Sequence, residues 1–260
     1  MEDKKSGYAS AQSIPAARPD KKEKEESQMQ IVGKPGFRYA TDFERPSAQV
    51  VKAFKDLMSQ TGCLTGNVGD CIGRDAAMQG EIRNIAPGMK TVGPALTVKV
   101  PPTDNLMIHK ALTLVKPGDV MVIEGGGYTS HALLGVLMVH TAVAMGLAGM
   151  IVNGGIRDAA EIRELGFPMF ARGINPNGPS KEGPGEINFP ISCGGRPVNP
   201  GDIIVADDDG VVVVPRGMAE KILPEVQAVI RKEAARIQEI KSGGVARPGL
   251  DDILKAKGLG

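Results

Sequence analysis

The spacing of apolar and polar positions changes repeatedly between two periods along this chain, and the changes predict alternating strands and helices. Continuous apolar runs at residues 120–123 and 150–152 are typical of buried strands, and the apolar segment between them could form a helix of roughly four turns. Glycines follow each run, after Glu124 in the first case and after Asn153 in the second. Residues 118–158 therefore predict a strand, a crossover helix and a second, parallel strand.

The same reasoning assigns elements on either side of this central unit. Ser47 is a typical N-cap for an amphipathic helix over residues 47–60, which Gly62 would end. A long charged helix over residues 218–240 is expected to be interrupted at Pro224, because proline lacks the amide that a helix interior uses. The remaining predictions are strands at residues 93–100, 167–172, 187–192, 202–206 and 211–215, and helices at residues 103–115 and 159–165.

The two glycine-rich turns of the central unit are the first candidates for chemistry. Parallel strands bring their carboxyl ends to one edge of the sheet, where ligands usually bind. The first turn is expected to open the helix, whose free amides and positive dipole end suit an anion. The second turn places Arg157 and Asp158 side by side, as a carboxylate-binding group next to an oxygen ligand for a divalent metal. A structural alternative has Arg157 paired locally and Asp158 capping the helix that starts at Ala159.

Composition limits the classes of protein to consider. The 260 residues are 42% hydrophobic and only 3% aromatic, a profile typical of a compact α/β enzyme. A formal net charge of +1 provides no overall field for nucleic acid or an anionic membrane, so neither is expected as a partner. The cysteines form no CxxC pair and the charged start has no secretory signal, which favours reduced thiols and a cytoplasmic location.

The chain is expected to divide into one domain with two flanking segments. Residues 1–30 are rich in charge and poor in apolar side chains, so they predict a disordered tail. Residues 31–242 are interpreted as a single α/β domain, and residues 243–260 as a C-terminal extension. Residues 173–186, rich in Gly and Pro, predict a loop that is either functional or a plain surface excursion.

Several motifs occur together and in order, and they resemble one family. They are TDNLMIH at 103–109, GDVMVIEGGG at 118–127, ALLGVL at 132–137, NGGIRD at 153–158 and PGDIIVADDDGVVVVP at 200–215. The combination resembles the RraA-like superfamily, particularly its 4-hydroxy-4-methyl-2-oxoglutarate / 4-carboxy-4-hydroxy-2-oxoadipate aldolase branch. This resemblance implies an αββα sandwich of the swivelling β/β/α type. It also implies a homotrimer, or a hexamer built as a dimer of trimers, with active sites between subunits.

The resemblance further implies an activity and roles for named residues. Family enzymes are class II pyruvate aldolases that use Mg²⁺ or Mn²⁺ and also decarboxylate oxaloacetate, so the expected ligand is a small 2-oxo acid. By that likeness Asp158 would ligate the metal, directly or through water, and Arg157 would bind the pyruvyl group and stabilise its enolate. The helix start at Gly135, with the amides near Leu137 and Met138, would receive the substrate carboxylate.

Two positions depart from the family pattern. The motif that carries an acidic residue in the aldolases reads Gly135-Val136-Leu137 here, and valine can neither accept a proton nor organise metal-bound water. Asn153 stands where the turn usually has aspartate. His131, one helical turn before Val136, is the first choice for the missing catalytic group, and His140 is expected to pack within the fold. The full set of candidates is Glu124, His131, His140 and Glu186.

Three functions stay open on the sequence alone. The first is a metal-dependent lyase that forms pyruvate from a 2-oxo acid, by aldol cleavage or by decarboxylation. The second is a metal-dependent enzyme of the same fold with another reaction, such as hydration, dehydration or isomerisation. The third is a non-catalytic protein like the RraA regulators, which bind and inhibit a ribonuclease E-type endonuclease, and the loss of the acid at Val136 favours it.

Overall fold

The computed structural model describes residues 29–73 and 75–259, which form an α/β architecture. The tail predicted over residues 1–30 lies outside these residues, apart from its last two positions. The strands are β1 (Ile31–Lys34), β2 (Phe37–Ala40), β3 (Arg83–Asn84), β4 (Thr91–Lys99), β5 (Val120–Glu124), β6 (Ala132–Leu134), β7 (Gly149–Ile156), β8 (Met169–Ile174), β9 (Gly185–Ile187), β10 (Ile191–Cys193), β11 (Arg196–Val198), β12 (Ile203–Asp207) and β13 (Gly210–Val214). The helices are α1 (Ala48–Thr61), α2 (Thr65–Ile72), α3 (Leu106–Leu112), α4 (Val136–Ala144), α5 (Ala159–Leu165), α6 (Arg216–Lys241) and α7 (Leu250–Ala256).

The elements form four layers separated by three apolar zones. One zone lies between helices α3, α4 and α5 and the parallel strands β4, β5, β7 and β8. A second zone packs α1, α2 and α6 against β12 and β13. In the third, Val122 and Phe170 of the parallel strands meet Ile204 and Val211 of the β12–β13 hairpin. The αββα sandwich expected from the family resemblance is therefore confirmed.

The central strand–helix–strand unit is present, but its helix begins later than the sequence predicts. β5 and β7 pair in parallel, with Glu124 opposite Asn153. After the glycines that follow Glu124, the chain forms the short strand β6 along β7, and only then does α4 begin at Val136. The prediction that the first glycine turn opens the helix is therefore wrong. Because Leu134 pairs with Ile156, β6 brings Gly135 beside the residues that follow β7.

Helix boundaries follow the sequence closely at α1 and α5, whereas α3 is shorter than the predicted helix at residues 103–115 and α6 differs at its proline. α1 begins after Ser47, whose hydroxyl accepts a hydrogen bond from the Val50 amide at 3.4 Å, and it ends at Gly62 as predicted. The predicted interruption at Pro224 is wrong, because α6 continues through this residue. Pro224 and Glu220, whose carbonyl loses its helical partner, both lie on the exposed face, where water can replace the missing bond.

The prediction of one continuous strand over residues 187–192 is also wrong. Asn188 has a φ of 62°, which breaks the extended backbone and leaves β9 and β10 as separate strands. The strands predicted at residues 202–206 and 211–215 are confirmed as β12 and β13, which pair as a hairpin with Asp207 opposite Gly210 at its turn. Among the helices of the described chain, none is both long and apolar enough to cross a bilayer.

Candidate active site

Asp158 lies between β7 and α5 in a conformation that residues other than glycine rarely adopt. Its φ of 60° and ψ of 33° fall in the left-handed region. Its side chain does not cap α5; instead Oδ2 accepts a hydrogen bond of 3.0 Å from the Val136 amide at the start of α4. The alternative in which Asp158 caps the helix from Ala159 is therefore wrong. The carboxylate is held at the positive end of a different helix.

Gly135 supplies the space in which this carboxylate lies. Its φ of −144° and ψ of −170° are extended, so backbone conformation does not require glycine here. A Cβ atom at this position, however, would lie 2.2 Å from Asp158 Oδ2 and 3.0 Å from Arg157 Cγ. Any side chain would displace both functional groups. Glycine at 135 is therefore a requirement of the site rather than of the fold.

Arg157 is positioned through its backbone, and its side chain stays accessible. Its amide donates to the Leu134 carbonyl at 3.0 Å. The guanidinium extends past Gly135 towards Gly178, where a Cβ would lie 3.2 Å from Nη1. Nε is 3.8 Å from Asp158 Oδ2, too long for a hydrogen bond, and 45% of the side chain is exposed. Arg157 therefore keeps its donors for a ligand.

The first amides of α4 differ in what they bind. The Val136 amide donates to Asp158, and the Met138 amide donates to the Gly135 carbonyl at 3.1 Å. The Leu137 amide comes too early for a helical acceptor and has no other acceptor among the described residues. The Leu137 side chain is 79% exposed, whereas that of Met138 is 6% exposed. One unpaired amide therefore faces the open side of the helix start.

The loop predicted over residues 173–186 is confined to residues 175–184, between β8 and β9, and it is fixed by hydrogen bonds beside this helix start. The buried Asp104 accepts hydrogen bonds from the Ser180 hydroxyl at 2.9 Å and the Glu182 amide at 2.6 Å. Burial raises the pKa of Asp104, but the backbone hydrogen bonds outweigh this effect and lower it overall. The Asn177 carbonyl also accepts a bond of 2.8 Å from the Ala132 amide of β6. The loop is thus a fixed wall of the site.

Val136 and His131 do not form the acid–base pair that the sequence suggests. Val136 is buried in the apolar zone beneath α4, so this position offers no group for proton transfer. The prediction that His131 lies one helical turn before Val136 is wrong, because the residues between them include the strand β6. His131 stacks on Tyr128 with a centroid distance of 5.8 Å, and its Nδ1 is buried with no partner among the described residues. The catalytic role of His131 stays a prediction.

The other candidates lie away from the helix start. His140 is exposed on α4, so the expectation that it packs within the fold is wrong. Glu124 accepts hydrogen bonds from the Gly126 amide at 2.7 Å and from Asn153 Nδ2 at 2.8 Å. Asn153 is four residues before Arg157, which corresponds to roughly 13 Å along an extended strand. Glu124 and Asn153 thus form a separate group at the same sheet edge.

That separate group extends across neighbouring strands as a polar row. The register places its members opposite one another on β2, β9, β4, β5 and β7. The polar row consists of Arg38, Glu186, Lys99, Glu124 and Asn153. Arg172 extends it, because its Nε donates to Asn153 Oδ1 at 2.7 Å. Lys99 and Arg172 were not among the candidates predicted from the sequence. Lys99 follows an apolar run at the end of β4, the signal that identified Glu124, whereas Arg172 lies within β8.

The helix start offers a divalent cation a single protein carboxylate. Within residues 29–73 and 75–259, no three His, Cys, Asp or Glu side chains lie close enough together to hold a metal. Asp158 Oδ1 accepts no hydrogen bond from a described residue, and 33% of the side chain is exposed. Mg²⁺ usually keeps several waters and takes one or two carboxylates together with its substrate. Asp158 fits an ion bound in this manner.

Comparisons with known proteins agree with the family that the motifs resemble. A provisionally named 4-hydroxy-4-methyl-2-oxoglutarate aldolase from Halalkalibacterium halodurans is 42% identical over 157 residues, which cover 60% of this chain and 75% of that protein. Protein DlpA of Legionella pneumophila is 30% identical over 206 residues, covering 75% of this chain but only 33% of DlpA. The crystal structure of Streptomyces coelicolor RraAS2, described as an unusual member of the RNase ES inhibitor RraA protein family, is 31% identical. It has a TM-score of 0.63 and covers 75% of this chain and 100% of its own. The RraA-like family model, Aldolase/RraA, matches residues 56–213, and the chain belongs to this family.

Proposed function

We propose that this chain is a divalent-metal-dependent carbon–carbon lyase that acts on a 2-oxo acid and leaves pyruvate. The observation that carries the proposal is the position of Asp158, in a left-handed conformation with its carboxylate at the start of α4 and beside Arg157. Residues held in rarely populated backbone conformations are often found at functional sites. The provisionally named aldolase of Halalkalibacterium halodurans supports a lyase activity.

The helix start and Arg157 would bind the two acceptor groups of the substrate. The unpaired Leu137 amide, at the positive end of α4, would receive the carboxylate. Arg157 would hold the keto oxygen. Because Gly135 has no side chain, it leaves room for the Asp158 carboxylate and the Arg157 side chain. Asp158 would hold Mg²⁺ or Mn²⁺, a Lewis acid that withdraws charge from the oxygens of a 2-oxo acid.

The reaction develops negative charge next to these groups. Loss of CO₂ from oxaloacetate, or aldol cleavage of a 4-hydroxy-2-oxo acid, leaves the enolate of pyruvate. The electron pair of the broken carbon–carbon bond becomes the C=C bond of the enolate, and the π pair of the carbonyl moves to the keto oxygen, beside the Arg157 guanidinium. A proton from water then adds to C3 and gives pyruvate. A fixed positive charge there stabilises the transition state, and removing one such donor commonly costs about 10²–10³ in rate.

The buried Val136 makes decarboxylation the simpler reaction for this site. Aldol cleavage must remove a proton from the 4-hydroxyl group, whereas decarboxylation has no such proton to remove. Val136 provides no base at the position where family aldolases have an acid. We therefore propose decarboxylation of oxaloacetate as the main reaction. His131, whose buried Nδ1 is unpaired within the described residues, is the proposed base for any aldol cleavage.

Pyruvate release tests the proposal. The assay couples pyruvate to lactate dehydrogenase, with oxaloacetate or 4-hydroxy-4-methyl-2-oxoglutarate as substrate and Mg²⁺, Mn²⁺ or EDTA present. We expect metal-dependent turnover that Arg157→Ala lowers by about 10²-fold or more at unchanged Tm. Arg231→Ala, on the exposed surface of α6, is the matched control and should keep the wild-type rate. No turnover above that of the metal alone would overturn the proposal.

The proposed base is tested separately. His131→Asn should lower aldol cleavage while leaving oxaloacetate decarboxylation close to the wild-type rate, because only the former needs a proton removed. Equal loss of both reactions would instead indicate that His131 positions the site. Equal retention of both would remove His131 from the mechanism.

We further propose that a neighbouring copy completes this site in a trimer or hexamer. Apolar side chains lie exposed along α4: Leu137 is 79% exposed, Val143 50% and Met145 39%. Leu137 and Met145 also line a cavity of about 370 Å³ between α3 and α4. Large apolar side chains that are exposed beside a cavity commonly mark an interface. Light scattering should give the mass of three or six chains, and a monomer at all concentrations would contradict this.

A second candidate function is inhibition of a ribonuclease without catalysis. The likeness to RraAS2 and the apolar Val136 favour it. The cleavage rate of a ribonuclease E-type endonuclease, measured with and without the protein, provides the test. Inhibition by both wild type and Arg157→Ala, with no pyruvate release from either, would establish the regulator in place of the lyase.

A further inference from the structure

A cavity of about 320 Å³ lies over the polar row, away from the Arg157–Asp158 pair. Its charged lining comes from Lys99, Glu124 and Glu186. Its walls are apolar and stiff, because they include Pro101, Pro102 and Pro184. Neither Arg157 nor Asp158 lines this cavity. It is therefore a separate place for a ligand on the same sheet edge.

The charges in this cavity alternate because of strand register. Lys99 at the end of β4 is opposite Glu186 of β9 on one side and Glu124 of β5 on the other. Residues directly opposite on neighbouring strands project to the same face, so the Lys99 side chain leaves the sheet on the same side as both glutamates. Lys99 also contributes to lowering the pKa of Glu186, although burial raises it. Both signs of charge thus converge on one small volume.

The two carboxylates are held by other groups and not by Lys99. Glu186 Oε1 accepts from Arg38 Nε at 2.7 Å and from the Gly36 amide at 3.1 Å. Both oxygens of Glu124 are likewise occupied. Glu186 Oε2 has no partner among the described residues, and the Lys99 ammonium makes no hydrogen bond or ion pair with any of them. One cation and one anionic oxygen are thus left for a ligand.

We propose that this cavity binds a zwitterionic α-amino acid with an apolar side chain. Its carboxylate would accept hydrogen bonds from Lys99, and its ammonium group would donate to Glu186 Oε2. Its side chain would pack on Pro101, Pro102 and Pro184. A zwitterion offers one partner to each of the two unpaired groups, whereas a simple carboxylic acid or an amine would leave one of them unpaired.

Calorimetric titration with L-leucine tests this proposal, using two compounds that each lack one charged group. 4-Methylpentanoate lacks the ammonium and 3-methylbutylamine lacks the carboxylate. We expect L-leucine to bind and each of the other two to bind at least roughly tenfold more weakly. Binding of 4-methylpentanoate as tightly as L-leucine would overturn the zwitterion assignment. No heat from L-leucine, L-valine or L-phenylalanine up to about 10 mM would overturn the site.

Three variants locate the binding. Lys99→Met keeps the length of the side chain without its charge and should weaken L-leucine at least roughly tenfold. Lys232→Met, exposed on α6, is the matched control and should bind like the wild type. Arg157→Ala should also bind normally, since its loss affects only the proposed lyase site. Weakened binding in Arg157→Ala with normal binding in Lys99→Met would place the ligand at the helix start and overturn the proposal.

Discussion

The start of α4 and the polar row lie on the same sheet edge, but their charged groups are satisfied to different degrees. At the helix start, Arg157 and Asp158 remain 3.8 Å apart, with 45% and 33% of their side chains exposed. In the polar row, Glu124 and Asn153 are joined at 2.8 Å, and Arg172 completes the chain at 2.7 Å. Groups whose hydrogen bonds are complete fix the structure, whereas groups with unmet bonds are available to a ligand. This difference between the Arg157–Asp158 pair and the Glu124–Asn153–Arg172 part of the polar row supports the proposal that catalysis takes place at the helix start.

The largest expected effect comes from filling the space at Gly135. Gly135→Ala places a methyl group 2.2 Å from Asp158 Oδ2, so the carboxylate and the guanidinium must both move. We expect pyruvate release to fall by about 10²-fold or more, because small displacements of catalytic groups have effects of that size. The free energy of unfolding should fall by only about 1–3 kcal/mol.

Gly217→Ala is the matched control for this substitution. Gly217 is near the start of α6, and nothing lies within 4 Å of where its Cβ would be. Its activity and Tm should equal those of the wild type. Wild-type activity in Gly135→Ala would show that the helix start is not the catalytic site.

An intermediate effect, on stability, is expected from breaking the hydrogen bond between Asn153 and Glu124 in the polar row. Asn153→Asp replaces the donor that Glu124 contacts at 2.8 Å with a second carboxylate. The two carboxylates repel each other, and Arg172, whose Nε donates to position 153 at 2.7 Å, offsets only part of this repulsion. We expect a loss of about 1–3 kcal/mol in the free energy of unfolding at pH 7.5, measured with urea.

The accompanying double variant Glu124→Gln/Asn153→Asp restores one donor and one acceptor and should recover most of the stability. Pyruvate release should change little in either variant, because the row lies roughly 13 Å from Arg157. A loss of activity as large as that of Gly135→Ala, at retained stability, would place the polar row in the catalytic machinery.

The smallest expected effect is the pH dependence of the stability that Glu186 contributes to the fold. Burial raises its pKa, but hydrogen bonds from the Gly36 amide and Arg38 outweigh this and lower it below its ordinary value of 4.5. A lowered folded pKa gives stability that is present above the unfolded value and lost as pH falls through the folded one. Glu186→Gln should therefore cost about 1 kcal/mol at pH 7 and almost nothing near pH 3. An equal cost at both values would contradict this assignment.

Much of the fold follows from local sequence signals. Apolar runs and caps define β5, α1 and α5, because their boundaries depend on neighbouring residues only. β6 was not predicted, because a run of three apolar residues, Ala132–Leu134, is equally consistent with a strand and with a buried helix. The split at Asn188 and the continuity at Pro224 were also missed, because each depends on its tertiary surroundings.

The sequence predicts which residues belong to the candidate site better than it predicts how they are arranged. The sequence alone singles out Arg157, Asp158 and Gly135. It does not reveal that Asp158 bonds to the Val136 amide, because this bond depends on the register of β6 and on a left-handed φ. The polar row was missed as a unit for the same reason, since its members come from distant parts of the chain and meet only through strand pairing.

The most direct test of the central claim is the rate of Mg²⁺-dependent pyruvate release from oxaloacetate by Asp158→Asn. Asparagine tolerates the left-handed conformation and keeps an oxygen that can accept the Val136 amide, but it removes the negative charge. We predict that kcat/KM falls by about 10²-fold or more while Tm stays within about 2 °C of the wild type. A rate close to the wild type at the same Tm would show that Asp158 only holds the helix start, and would contradict the account.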